Sequence, residues 1–115
     1  RTSGRVVFTD MHFTKMSDLS TPALFSSCAA ANVHTATLRV GRTAAGAYLP
    51  MFTYTMTNAM ISSIRTHADG DGQFPTDEFY INFSQIEIEY KQQGIDVVSP
   101  GNDSFGWNLS LNAPV

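Results

Sequence analysis

Residues 77–90 read DEFYINFSQIEIEY, and the apolar side chains change parity midway. Phe79, Ile81 and Phe83 occupy odd positions, whereas Ile86, Ile88 and Tyr90 occupy even ones. Successive side chains of a strand point to opposite faces, so one regular strand would bury the first trio on one side and the second trio on the other. Two solutions exist: a bulge near Ser84–Gln85 resets the register, or the two faces are covered by different things. In either case the stretch belongs in a sheet, and these six residues are candidates for the core or for a subunit interface.

The rest of the chain follows the same two-residue period. In RVVFTDMHFT, Val7, Thr9, Met11 and Phe13 share a face opposite Asp10 and His12. Ala36, Leu38 and Val40 alternate with Thr35, Thr37 and Arg39. AYLPMFTYTMTNAMISSI carries Tyr48, Phe52, Tyr54 and Met56 on one parity and shifts around Thr57–Ala59, so it bends or forms two strands. Pro50 cannot donate to a ladder and belongs near a strand start or on an edge. In the closing FGWNLSLN, Phe105, Trp107, Leu109 and Leu111 alternate with Gly106, Asn108, Ser110 and Asn112, which predicts a last strand. Turns are expected at GRTAAG, residues 41–46, at THADGDGQFPTD, residues 66–77, and around 94–103.

One helix interrupts this pattern, over about residues 21–31. Ser20 or Thr21 can cap it, and Pro22 suits its first turn. Leu24 with Cys28, and Phe25 with Ala29, form a narrow apolar stripe, which makes Leu24, Phe25 and Cys28 the candidate anchors. Asn32 tolerates the left-handed conformation that often ends a helix.

Composition narrows the function classes. The 115 residues are 43% hydrophobic and 15% charged, enough apolar content for one domain with a modest core. A net charge of −3 gives no basic field for nucleic acid or an anionic membrane. RTSGRVV shows neither an initiator Met nor an apolar signal core, so Arg1 reads as an internal residue of a longer precursor or a processed end. Cys28 is the only cysteine, which excludes an intrachain disulfide and a cysteine zinc cage.

The sequence carries few residues in patterns that chemistry requires. His67, Asp69 and Asp71 invite a calcium reading, but the calcium-hand pattern counted from Asp69 needs Gly and Glu where Phe74 and Tyr80 stand. A solvated turn explains the same residues. Glu87 and Glu89 share a strand face and could mimic a glycosidase pair, yet Lys91 follows on that face and a polar strand surface explains all three. His12, His34 and His67 lie in separate contexts, and Cys28 sits among alanines as a small hydrophobe. Asn82 and Asn108, in glycosylation-like triplets, fall within expected strands. No catalytic, cofactor-binding or metal-binding residue is assigned.

Several segments resemble one family. MHFTKMSDLSTPALFSSCAAANVHTATLRV is similar to a passage of the haemolysin-coregulated proteins, Hcp, the tube subunits of type VI secretion. Phe13, Thr14 and Lys15 match its strand end, and Ser20, Thr21 and Pro22 match its helix start. Ile61, Ser62 and Ser63 resemble a Val-Ser-Ser segment, FYINFSQIEIEYKQQ an Asn-Phe strand, and Gly106, Trp107, Asn108 and Asn112 the closing strand. The four pieces run in collinear order over nearly the whole chain.

The resemblance implies a mainly β fold: a small barrel of two antiparallel sheets with one short helix, residues 1–115 forming a single domain without the family's N-terminal strands and long extended loop. It implies stacked hexameric rings forming a tube, with a contractile sheath outside, a spike of the valine-glycine-repeat family on top and effector proteins in the lumen. It implies a protein in the bacterial cytoplasm before firing, then secreted or delivered into target cells, with no enzymatic activity, cofactor, nucleic acid or membrane insertion. In such a ring, one face of 79–90 meets its own core and the other a neighbour. Two alternatives stay open: a tail-tube protein of a phage or other contractile particle, and a monomeric carbohydrate-binding or hydrolytic sandwich using Glu87, Glu89 and Trp107.

Overall fold

The computed structural model describes residues 8–91 and 102–115. The elements run β1 (Met11–Met16), α1 (Thr21–Ala30), β2 (His34–Ala44), β3 (Ala47–His67), β4 (Thr76–Asn82), β5 (Gln85–Lys91), β6 (Asn102–Asn108) and β7 (Ala113–Pro114). The fold is mainly β and antiparallel, with one helix among the described residues. The strand pairings form an open path, β1-β4-β3-β5-β6-β7 with β2 on β3, and no ladder among the described residues closes it into a barrel.

The parity change in 77–90 reflects a break between strands. β4 ends at Asn82 and β5 begins at Gln85, with Phe83 and Ser84 as the joint. Each half has its own partners, so neither strand carries two apolar faces in one ladder. β3 is the complement of this break. Its residues 52–57 pair with β5 and its residues 60–67 pair with β4. The handover falls on Asn58, whose φ is 53°, inside the window where the sequence pattern shifts. Asn tolerates this left-handed conformation better than most residues. The Ser84 amide donates to Thr57 O at 3.1 Å and pins the joint to the handover.

The chain divides into two compact units. One holds residues 35–57 with β5, β6 and β7. Met56 and Ile86 are buried in it, at 1% and 4% exposure. Here GRTAAG is mostly strand rather than turn: β2 runs to Ala44, and only Ala45 and Gly46 turn, both with positive φ, 52° and 78°. Two successive positive φ values suit the twist of a tight hairpin. Gly41 lies within β2, where the β3 backbone passes so close that an added Cβ would run into Leu49 O. Pro50 lies near the start of β3, as expected.

The expected last strand stops early. β6 ends at Asn108, where the Asn108 Oδ1 accepts the Leu111 amide at 2.8 Å. Asn112 then adopts φ 52° before β7. Leu111, expected on an apolar face, is 75% exposed. A side-chain acceptor that imitates a backbone turn overrides the alternation here.

The second unit holds residues 8–34 and 58–83, with β1, α1, the end of β3, and β4. Ala59, Ile61 and Phe83 are its buried apolar residues. Val7 lies outside the described residues, as does most of the turn expected around 94–103.

Candidate functional site

The β5 unit has two unlike faces. Directly opposed residues of an antiparallel ladder share a face, and three rows cross from β3 to β5 to β6: Phe52–Tyr90–Asp103, Tyr54–Ile88–Phe105 and Met56–Ile86–Trp107. Burial along this apolar face is graded. Met56 and Ile86 are buried, Ile88 is half-buried, and Tyr90 and Phe105 are 36% and 46% exposed. The Phe52 and Tyr90 rings are 4.9 Å apart. The Trp107 Nε1 is buried and has no hydrogen-bond partner among the described residues.

The opposite face carries the rows Thr53–Glu89–Ser104 and Thr55–Glu87–Gly106. With Val115 they line an open groove of about 360 Å³. Lys91 Nζ lies 3.9 Å from Glu89 Oε1. Glu87 and Glu89 therefore face away from Trp107, and the carbohydrate-binding arrangement of carboxylates beside the indole is not assembled.

The second unit centres on Asp77, which the sequence reading did not single out. Its carboxylate is completely buried and accepts four side-chain hydrogen bonds, two on each oxygen. Ser17 Oγ (2.7 Å) and Thr66 Oγ1 (2.9 Å) donate to Oδ1, while Lys15 Nζ (3.0 Å) and Thr21 Oγ1 (2.5 Å) donate to Oδ2. The strands dictate half of this set: Lys15 on β1 and Thr66 on β3 are the register partners of Asp77 from either side. Ser17 and Thr21 arrive from the β1–α1 connection and the first helical turn. These bonds, led by the Thr21 hydroxyl, hold the Asp77 carboxyl far below the ordinary carboxylate range. Neighbouring Asp18 is lowered to about 2, chiefly by the Ser20 hydroxyl and then by Lys15. Lys15, between two carboxylates, is raised, mainly by Asp18.

Along the same face Phe79 and Ile81 follow Asp77, half-buried, and Phe79 stacks on Phe13 at 5.3 Å. The reverse face is polar and aromatic. His12 stacks on Tyr80 at 4.5 Å, and Glu78 accepts from Arg65 Nε at 3.1 Å. The six residues of 79–90 thus fall into two sets, with Phe83 and Ile86 in the cores and Tyr90 the most open.

The helix departs from expectation at both ends. Ser20 makes no side-chain cap because its hydroxyl donates to Asp18 Oδ1. The Thr21 hydroxyl is engaged by Asp77. At the other end Ala31, not Asn32, takes the left-handed conformation, φ 52°, and the Asn32 amide closes on Ser27 O. No α1 residue is buried. Thr21, Leu24, Ser27 and Cys28 are half-buried, and Phe25, expected as an anchor, is 41% exposed. The inward stripe is half polar, so Leu24 and Cys28 supply its apolar part. Ser27 Oγ and His34 Nε2 are 3.0 Å apart.

His67 Nε2 reaches Asp69 Oδ1 at 3.0 Å. Among the described residues no group of three or more His, Cys, Asp or Glu is placed to hold a metal. No helix among them is long and apolar enough to cross a membrane.

Comparison with known proteins accounts for this architecture. The pattern of the family described as Type VI secretion system effector, Hcp, matches residues 1–90. Protein hcp1 of Pseudomonas aeruginosa is 28% identical over 105 residues, covering 90% of this chain and 65% of that protein, so the chain spans slightly less than two thirds of that relative. Hcp1 from Salmonella typhimurium superposes with a TM-score of 0.78 at 25% identity, covering 97% of this chain and 76% of the other. A type six secretion system protein superposes with a TM-score of 0.84 at 23% identity over 97% of this chain and 70% of its own, a likeness of fold. The chain belongs to the Hcp family of the type VI secretion system.

Proposed function

We propose that this chain is a non-enzymatic structural subunit of the type VI secretion inner tube, with residues 1–115 acting as one domain. Subunits assemble into hexameric rings, and the rings stack inside a contractile sheath beneath a spike of the valine-glycine-repeat family. The lumen carries effector proteins, and the protein moves from the bacterial cytoplasm into the medium or a target cell when the system fires.

The observation that supports this reading, beside family membership, is the graded apolar face of the β5 unit. Ile88, Tyr90 and Phe105 extend the core row outwards but stay partly open, as expected of a surface completed by further protein. Ring closure needs a head-to-tail contact whose rotation closes on itself. The test is the mass in solution, by sedimentation or native mass spectrometry, with rings imaged by electron microscopy. Species several-fold above 12.6 kDa that image as six-fold rings support the proposal. A strict monomer at high micromolar concentration sinks it, as would a hydrolytic or sugar-binding activity abolished by Glu87→Gln and Glu89→Gln in a chain that forms no rings.

A further inference from the structure

Helix α1 is held to its unit mainly by polar contacts. The helix contains no buried residue, and its outward side chains, Phe25 among them, meet solvent. Its apolar contribution is the half-buried pair Leu24 and Cys28. Against this, its first residue donates a 2.5 Å hydrogen bond to the buried Asp77 carboxylate, and Ser17, in the connection leading to it, donates another at 2.7 Å. Asp18 gathers the same connection by accepting from the Ser20 amide at 2.9 Å and from Lys15 Nζ at 2.9 Å. At the far end the Ser27–His34 contact lies at the surface.

We propose that α1 is a strap fastened at Asp77: the carboxylate and its hydroxyl donors, rather than an apolar core, keep the helix down, so α1 opens as a unit while the strands of its own unit stay paired. Two features make this opening separable from unfolding. The β1–β4 and β3–β4 ladders are complete without any helix residue. The Lys15–Asp77–Thr66 row also retains its own bonds when Thr21 leaves, so the carboxylate is not stranded without partners. Opening uncovers Leu24 and Cys28, a small apolar stripe that is half-covered when the strap is closed.

Hydrogen exchange on the full chain, followed by mass spectrometry, tests it, with Cys28, the only cysteine, as a second reporter through its labelling rate with an aromatic disulfide. The α1 amides should exchange faster than those of Phe79–Ile81. Thr21→Val removes both the bond to Asp77 and the acceptor of the Asp18 amide. It should raise α1 exchange and Cys28 labelling by at least about tenfold, the change expected for losing the bond to the charged group alone, while β4 exchange stays the same. Thr21→Ser, which keeps the hydroxyl, should restore wild-type rates. The proposal is overturned if α1 and β4 exchange together in the wild type, if Thr21→Val speeds both equally, or if it changes neither.

Discussion

The graded apolar face makes a quantitative prediction about Ile86, Ile88 and Tyr90. Ile86 is 4% exposed between Met56 and Trp107 in its row. Truncation to Ala removes carbons worth about 0.8 kcal/mol for each buried CH₂-sized group, and adding the cavity left behind brings the loss to about 3–4 kcal/mol. Ile88 is half-buried, so the same truncation should cost about half as much, roughly 1.5–2 kcal/mol. Tyr90 is 36% exposed, and its loss removes mainly the Phe52 ring contact, about 0.5–1.5 kcal/mol. Urea denaturation of the three Ala variants, read at unchanged m-value, should rank them in that order. The carboxylate series then separates folding from assembly. Ile86→Asp buries an unpaired charge in the core and should leave the chain unfolded by circular dichroism. Tyr90→Asp should leave a folded chain that no longer forms rings. A Tyr90→Ala loss as large as that of Ile86→Ala, or a folded, ring-forming Ile86→Asp, would refute the assignment of the inner row to the core and the outer row to the assembly surface.

Gly41→Ala drives a Cβ into Leu49 O, a backbone atom that cannot swing aside, and should destabilise the chain by about 1–3 kcal/mol in the same assay. Ala31→Gly relieves the left-handed strain at the end of α1 and should raise the helix protection seen in hydrogen exchange, stabilising by about 0.5–1 kcal/mol. Asp18 is depressed in the folded chain, so its contribution is fully present above its ordinary value of 3.8 and fades as pH falls towards about 2, with Asp77 persisting lower still. Carboxyl-carbon NMR should show the Asp18 midpoint near 2. Lys15 is raised, so its contribution is complete below its ordinary value of 10.5 and is lost as pH rises through the raised one.

The sequence exposes those features that arise from local periodicity. The parity change in 77–90 located the joint between β4 and β5 to within a residue, and the shift at Thr57–Ala59 located the point where β3 changes partners. Both are legible because a half-buried strand writes its register into every second residue. Features that depend on a distant backbone are not legible. Gly41 looked like a turn residue because the approach of Leu49 and Pro50 is a tertiary fact. Leu109 and Leu111 continued an alternation that a hydrogen bond to Asn108 terminates. Apolar spacing alone puts Phe25 on the inward stripe of the helix. The inward set turned out to be Thr21, Leu24, Ser27 and Cys28, because the polar Thr21 had a buried acceptor waiting on β4.

That acceptor also links two parts of the passage that carries much of the family resemblance to the head of β4. Lys15 is the penultimate residue of β1 and Thr21 opens α1, and neither position is distinctive by itself. Both donate to Asp77 Oδ2, across sequence separations of 62 and 56 residues. Changing Lys15 removes the only cation on a fully buried carboxylate among the described residues, and changing Thr21 removes the bond that places the helix. Changing Asp77 leaves Ser17, Lys15, Thr21 and Thr66 without their common acceptor. In this chain each residue is tied to the others through one pair of oxygen atoms, so the strand end at Lys15, the helix start at Thr21 and the head of β4 form one cluster. By helical and strand period each piece is ordinary. Only the folded chain shows that they are parts of a single polar cluster, at the end of a face whose other residues are apolar.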